Sequence, residues 1–184
     1  VEGAQATTRP RPRRGDELEL TIDRLAYGGA GVARTETGYV VFIRGGVPGD
    51  RVRARIGKSK RSWAEAELVE LLEPSPDRIE PVAPHPGAPW QVLPYERQLQ
   101  EKESQVRDAL SRIGGFEDPP VEPIVPAKEQ LRYRNKLEYS FGTDEQGELV
   151  LGFHRPGRWD LIDDVADDIL ASERINEVRE AVKA

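Results

Sequence analysis

A mainly β protein is predicted, in which a small barrel or sandwich precedes a small α+β domain. Three features of the 184 residues carry the prediction. Short runs of period-two alternation joined by glycine-rich turns fill 16–73, a stretch with seven prolines covers 73–94, and a strongly helical segment follows.

Four strand-like runs make up the first part: Glu17–Arg24, Gly38–Arg44, Asp50–Gly57 and Trp63–Leu72. Leu18, Leu20 and Ile22 alternate with Glu17, Glu19, Thr21 and Asp23, and Val52, Ala54 and Ile56 alternate with Arg51, Arg53 and Arg55. A strand with one buried face has this signature. In the last run Ala64, Ala66 and Leu68 share a face. Its Ala, Glu and Leu are also good helix formers. Strand is preferred, because a lone helix would leave three strands without a closing partner. The loop Gly28-Gly29-Ala30-Gly31 is read as a tight turn, since a dinucleotide loop should lead into a helix and Val32-Ala33-Arg34 does not.

Beyond Pro94, whose fixed φ suits a helix start, a helix is expected over Tyr95–Ile113 and should stop at Gly114-Gly115. Leu99, Val106, Leu110 and Ile113 form its apolar stripe, and Glu103–Arg107 and Asp108–Arg112 are spaced to pair. Lys136–Phe141 and Leu149–Phe153 are expected to form a hairpin, followed by a short strand near Leu161–Val165. Ser172 should cap a last helix with Ile175, Val178 and Val182 on its apolar side. Four segments follow from this reading: a flexible basic arm over 1–15, the β domain over 16–73, a proline-rich linker over 74–94 and the α+β domain over 95–184.

The composition excludes several classes. With no cysteine, disulfides, thiolate metal sites and cysteine nucleophiles are ruled out within the chain. No apolar run is long enough to span a bilayer, and VEGAQATT at the start lacks the apolar core of a signal peptide, so a cytoplasmic protein without membrane partners is expected. The net charge of −6 is unevenly spread: the first 63 residues hold 13 Lys and Arg against 7 Asp and Glu, and the remainder is acidic. A basic front on an acidic body suits a partner rich in phosphate.

Two clusters fit RNA. Arg44, Arg51, Arg53, Arg55, Lys58, Lys60 and Arg61 lie beside Trp63. Small barrels bind nucleic acid through such a combination of cations for the backbone and a ring for a base. Arg132, Arg134 and Lys136 alternate with residues that include Tyr133. His85 and His154 sit in proline-glycine turns with no partner at ligand or triad spacing and are read as turn residues. Asp160, Asp163, Asp164, Asp167 and Asp168 lack calcium-loop spacing and are read as a solvated face. No nucleophile–base–orienter set is present, so no catalytic, cofactor-binding or metal-binding residue is assigned.

The order of motifs resembles a known family. Leu25–Arg34, Gly38–Ile43, Val47–Val52 and Lys60–Ala66 look like a TRAM domain, a five-stranded OB-like RNA-binding barrel. Trp90–Leu99, Tyr133–Gly142 and Leu151–His154 look like the central domain of bacterial RNA (uracil-5-)methyltransferases. The resemblance implies the substrate-RNA-binding portion of an enzyme that methylates uridine at C5 in rRNA or tRNA. S-adenosylmethionine would be the methyl donor, held by a catalytic domain in cis that these residues do not include. By themselves they should bind no cofactor and be inactive. The chain looks cut after Ala184 rather than finished, and the alternative is a stand-alone, non-catalytic RNA-binding module. Many members carry a four-cysteine iron–sulfur cluster. The corresponding positions here fall in Ala83–Trp90 and at Asp168, without thiols, so no cluster is expected. Proline stiffness and burial of Trp90 are expected to hold that loop instead, with the α+β domain depending on the indole.

Overall fold

Alternation in the first third becomes a closed five-stranded barrel in the computed structural model, which describes residues 11–155 and 158–184. The strands are β1 (Glu17–Leu25), β2 (Gly31–Arg34), β3 (Val40–Arg44), β4 (Arg51–Ser59) and β5 (Trp63–Glu73), in the order β1-β2-β3-β5-β4 with β4 returning to β1. All pairs are antiparallel except β3 with β5. Inward residues are those the alternation selects: Leu20, Ile22, Val41, Ile43, Val52, Ala54, Ile56, Ala64 and Ala66 are buried in one core. Small alanines, Ala64 and Ala66, line the inner face of β5. Register shifts along β4–β5 bend these long strands enough to close a barrel of only five.

The expected strands match closely, and Trp63–Glu73 is a strand rather than a helix. The residue-by-residue reading passed over β2. It has only four residues, three of them buried, and so shows no alternation. The preceding glycine loop is a tight turn that leads into this strand. Gly28 and Gly29 have φ of 88° and 92°, and a Cβ on Gly29 would lie 2.5 Å from Nε1 of Trp90.

Asp50 is wholly buried beyond β3. Its carboxylate accepts from the Val47 and Ser75 amides and from Arg78, whose Nη2 is 2.6 Å away. The β3–β4 loop is thereby tied to the chain leaving β5. Burial alone would raise this carboxyl, but the Arg78 and amide hydrogen bonds outweigh it and hold the group below its usual range.

The compact units do not divide at the expected 74–94 linker. Residues through Glu80 cluster with Trp90–Ile124, and Pro81–Pro89 cluster with Val125–Ala184. Helix α1 (Tyr95–Arg112) therefore belongs with the barrel. The expected apolar stripe does not attach it: Val106 and Ile113 are exposed, and no residue of α1 is buried. Its contacts are polar instead. Glu101 accepts from the Leu25 amide, Gln105 donates to the Leu25 and Ala26 carbonyls, and Asp108 pairs with Arg24 at 3.0 Å. These positions follow a helical period of their own, and they satisfy backbone groups left unpaired where β1 ends. The expected Glu103–Arg107 and Asp108–Arg112 pairs are present.

Trp90 is half-buried against Leu25, Val47 and Leu93, all in the barrel unit. The expectation that the α+β domain depends on this indole is thus corrected. Trp90→Ala should destabilise the barrel unit by about 1–2 kcal/mol, leaving the second unit unaffected, as hydrogen exchange in urea would resolve.

In the second unit β6 (Ser140–Thr143), β7 (Leu149–Arg155) and β8 (Arg158–Asp164) form an antiparallel sheet. The stretch expected to be a strand from Lys136 pairs only from Ser140 onward. Upstream, Arg134 makes an isolated parallel bridge to Ala171. Helix α2 (Glu173–Lys183) is capped by Ser172 as expected, whereas Val178 and Val182 are exposed. The buried residue of α2 is Arg179, which donates to the Val165 and Ala166 carbonyls. The preceding loop offers bare carbonyls, so a donor rather than a methyl group is wanted there. Among the described residues, no helix is long and apolar enough to cross a membrane.

Candidate nucleic-acid interface

Cations matter to a polyanion only if protein carboxylates have not already neutralised them, and the structure sorts the expected residues on that basis. Arg51, Arg53 and Arg55 point outward from β4 as the alternation requires, but each lies between rows of glutamates. Arg51 pairs with Glu19 and Glu73, Arg53 with Glu19 and Glu70, and Arg55 with Glu17. The hydrogen bond from Arg53 above all, helped by Arg51, holds the Glu19 carboxyl below its usual range. Exposed pairs of this kind add little stability. Together they make this face a mixed-charge ladder rather than a cationic stripe, a difference that lies in strand pairing.

The other barrel cations are placed differently. Arg44, Lys60 and Arg61 are exposed, with no carboxylate within ion-pair distance among the described residues. Lys60 and Arg61 occupy the β4–β5 turn, which is braced from beneath. The hydroxyl of Tyr39 lies 2.7 Å from the Lys60 carbonyl and 2.6 Å from that of Trp63, and the Lys60 amide donates to the Trp63 carbonyl at 2.8 Å. Trp63 is half-buried and meets Phe42 edge to face, with centroids 5.9 Å apart and ring planes at 79°. Lys58 sits 5.6 Å from the Trp63 ring centroid and pairs with Glu65 at 3.5 Å. The parallel β3–β5 register, Val40 opposite Trp63 and Phe42 opposite Glu65, is what brings the two rings together on the outer wall. Phe42 was not singled out from the sequence, since it looks like one more apolar residue in Val40–Ile43. Its outward position becomes visible only when Val41 and Ile43 are seen to be the buried pair.

In the second unit Arg132 is committed to structure. Its guanidinium forks onto both Asp167 oxygens at 2.6 Å and also reaches the Asp168 carbonyl, from a backbone at φ 59°. Arg134 is partly buried and lies 6.0 Å from the Tyr133 ring centroid. Lys136 is exposed and paired with Glu138 at 3.2 Å. Tyr133 is 53% exposed, so its ring remains open to solvent.

His85 and Asp168 depart furthest from expectation. The histidine does open the Pro86-Gly87 turn, its carbonyl accepting from the Ala88 amide, but it is also a buried network member, and the aspartate is wholly buried rather than solvated. His85 Nε2 lies 2.9 Å from Asp168 Oδ1, while His85 Nδ1 accepts from the Gly87 amide. Because Nδ1 accepts, Nε2 carries the proton and donates it to the carboxylate. Tyr139 and the Leu170 and Ala171 amides also donate to Asp168. Burial would raise this carboxyl, but the Tyr139 bond, the amides and His85 together hold it low. Conversely, burial and the bond to Asp168 push the Tyr139 phenol up. The Ala83–Trp90 stretch and Asp168 are therefore joined by a hydrogen bond between side chains. The donors present do not suit a four-thiolate cluster. Among the described residues, no three His, Cys, Asp or Glu gather to hold a metal ion.

Residues 11–69, which take in most of the closed barrel with its basic turn and outward aromatic pair, match the TRAM domain model. Over most of its length the chain is similar to proteins named as RNA methyltransferases. It is 40% identical to an uncharacterised RNA methyltransferase of Chlorobaculum tepidum over 91% of this chain and 39% of the relative. It is 41% identical to one from Gloeobacter violaceus over 77% of this chain and 32% of that one. The chain thus spans about a third of the length of the curated relatives it matches. The fold is also that of a Pyrococcus abyssi tRNA (uracil-54, C5)-methyltransferase solved with S-adenosyl-L-homocysteine. That likeness has a TM-score of 0.59 at 24% identity, covering 90% of this chain and 35% of that one.

Proposed function

We propose that this chain is the RNA-gripping part of an S-adenosylmethionine-dependent RNA methyltransferase whose product is 5-methyluridine in rRNA or tRNA. The observation that carries the RNA reading is the set of unneutralised cations, Lys60, Arg61 and Arg44, around the Phe42–Trp63 pair. Phosphates would be met by the cations, and an unpaired base would stack on the exposed edge of the aromatic pair. Arg51, Arg53 and Arg55 would have to exchange carboxylate partners for phosphate, so they contribute less. Arg134, Lys136 and Tyr133 are the corresponding candidates in the second unit. The methyl donor belongs to the portion of the relatives that this chain does not span. The glycine loop at Gly28–Gly31 runs into β2, not a helix, and does not fit that ligand.

Binding of a structured RNA fragment measured across salt concentrations tests the interface. Lys60→Ala with Arg61→Ala should flatten the slope of log affinity against log salt by about 1.4–1.8. Phe42→Ala with Trp63→Ala should instead weaken binding by about 1–3 kcal/mol per stacked base and leave the slope alone. An RNA affinity indifferent to both pairs would remove this surface from the interface. With labelled S-adenosylmethionine, this chain alone should transfer nothing. The longer protein should yield 5-methyluridine in nucleoside mass spectrometry.

A further inference from the structure

Arg11–Gly15 was expected to be part of a flexible arm, yet it is docked along the end of β4. Residues 1–10 of that arm lie outside the described residues. Arg11 donates through Nε to the Ser59 hydroxyl at 2.8 Å and through Nη2 to the Ser59 carbonyl at 2.6 Å. The same hydroxyl donates to the Pro12 carbonyl at 2.6 Å. The Gly15 amide donates to the Ile56 carbonyl, and the Arg13 amide to the Asp16 carboxylate. Pro12, with its fixed φ, stiffens the segment between these ties.

The docking creates an open depression of about 450 Å³ lined by Arg11, Pro12, Arg13, Arg14, Gly57, Lys58 and Ser59. Four of those residues are cationic and none is acidic. Arg11 is held by Ser59 and Lys58 reaches Glu65, but the guanidiniums of Arg13 and Arg14 have no carboxylate within ion-pair distance among the described residues. Gly57 adds no side chain to the floor, so a ligand can approach the backbone closely. The depression ends at Ser59, next to Lys60 of the braced turn.

We infer that the depression between Arg11–Arg14 and Gly57–Ser59 is a phosphate-binding station for the RNA backbone, extending the track past the Lys60–Arg61 turn. The inference rests on the RNA reading above and names a part of the interface that reading does not include. Wide and shallow, the depression suits successive phosphodiesters of a strand passing over it better than an enclosed metabolite. Its contacts are to charge alone, so it positions RNA without reading sequence.

Arg13→Ala with Arg14→Ala removes two exposed side chains whose guanidiniums make no hydrogen bond or ion pair among the described residues, and the thermal midpoint should not move. The salt slope for RNA should fall by about 1.4–1.8, while the ranking of RNA sequences stays the same. An unchanged slope in this variant, alongside a reduced slope for Lys60→Ala with Arg61→Ala, overturns the station and leaves the barrel interface standing. Absence of RNA binding by the unaltered chain overturns both. Poly-glutamate of matched charge is the competitor that separates RNA from an acidic protein partner. If it displaces RNA from the Arg13 and Arg14 guanidinium resonances at equal concentration, the RNA assignment fails. If it does not, the assignment holds.

Discussion

Asp168→Ala is expected to unfold the second unit at denaturant concentrations where the barrel unit is still intact, with a loss of about 3–5 kcal/mol. The carboxylate organises four donors at once. Tyr139, His85 and the Leu170 and Ala171 amides bond to its side chain, and its own amide is tied to Asn176 of α2. Removing the acceptor leaves buried donors that water cannot reach, which costs far more than the net worth of the bonds themselves. Asp168→Asn keeps the shape but supplies one oxygen in place of two, and should fall between the alanine variant and the native chain. Hydrogen exchange of the second unit's amides across a urea series reads the transition. A midpoint within error of the native value would refute the network's structural role.

Asp50→Ala should have the matching effect on the barrel unit, again about 3–5 kcal/mol, because it strands Arg78 together with the Val47 and Ser75 amides. Acid provides a second readout. Both Asp50 and Asp168 have folded-state values held below the usual 3.8. The unfolded chain therefore binds protons first as pH falls. The stability these groups contribute is fully present above about pH 4–5 and drains away below it, as each carboxylate is forced to protonate in place. Asp50→Ala should flatten the acid limb of the barrel transition only, and Asp168→Ala that of the second unit only. An acid limb that keeps its shape in both variants would mean other carboxylates set it.

Four of the five barrel strands were legible because each has one buried face, and burying alternate residues writes its period directly into the sequence, whereas β2 is too short and too buried to alternate. Both helices were placed correctly along the chain, yet their inward faces were misjudged. Apolar periodicity is silent on polar contacts, and here Glu101 and Gln105 on α1 and Arg179 on α2 dock to open backbone while Asp108 pairs with the Arg24 side chain. His85 and Asp168, 83 residues apart, carry no local signal of their meeting. The basic face of β4 was read correctly strand by strand, but its neutralisation depends on which glutamates the neighbouring strands set alongside it. Charge on a sheet is a property of pairs of strands, and a single strand's sequence shows only half of it.

The parallel pairing of β3 with β5 also bears on how the chain emerges during synthesis. β1 through β4 can begin to associate once Ser59 is out, but the gap between β3 and β4 is filled only by Trp63–Glu73, the longest strand. Until that segment clears the ribosome, two edges with unpaired amides and carbonyls stay open, in the state most prone to pair with a neighbouring nascent chain. The alternate glutamates of β5, together with Arg51, Arg53 and Arg55 on the waiting edge of β4, give each unfinished strand a charge that repels its own copy while attracting its proper partner. Opposite charge across the β4–β5 seam thus favours these two strands pairing with each other over either pairing with its own copy.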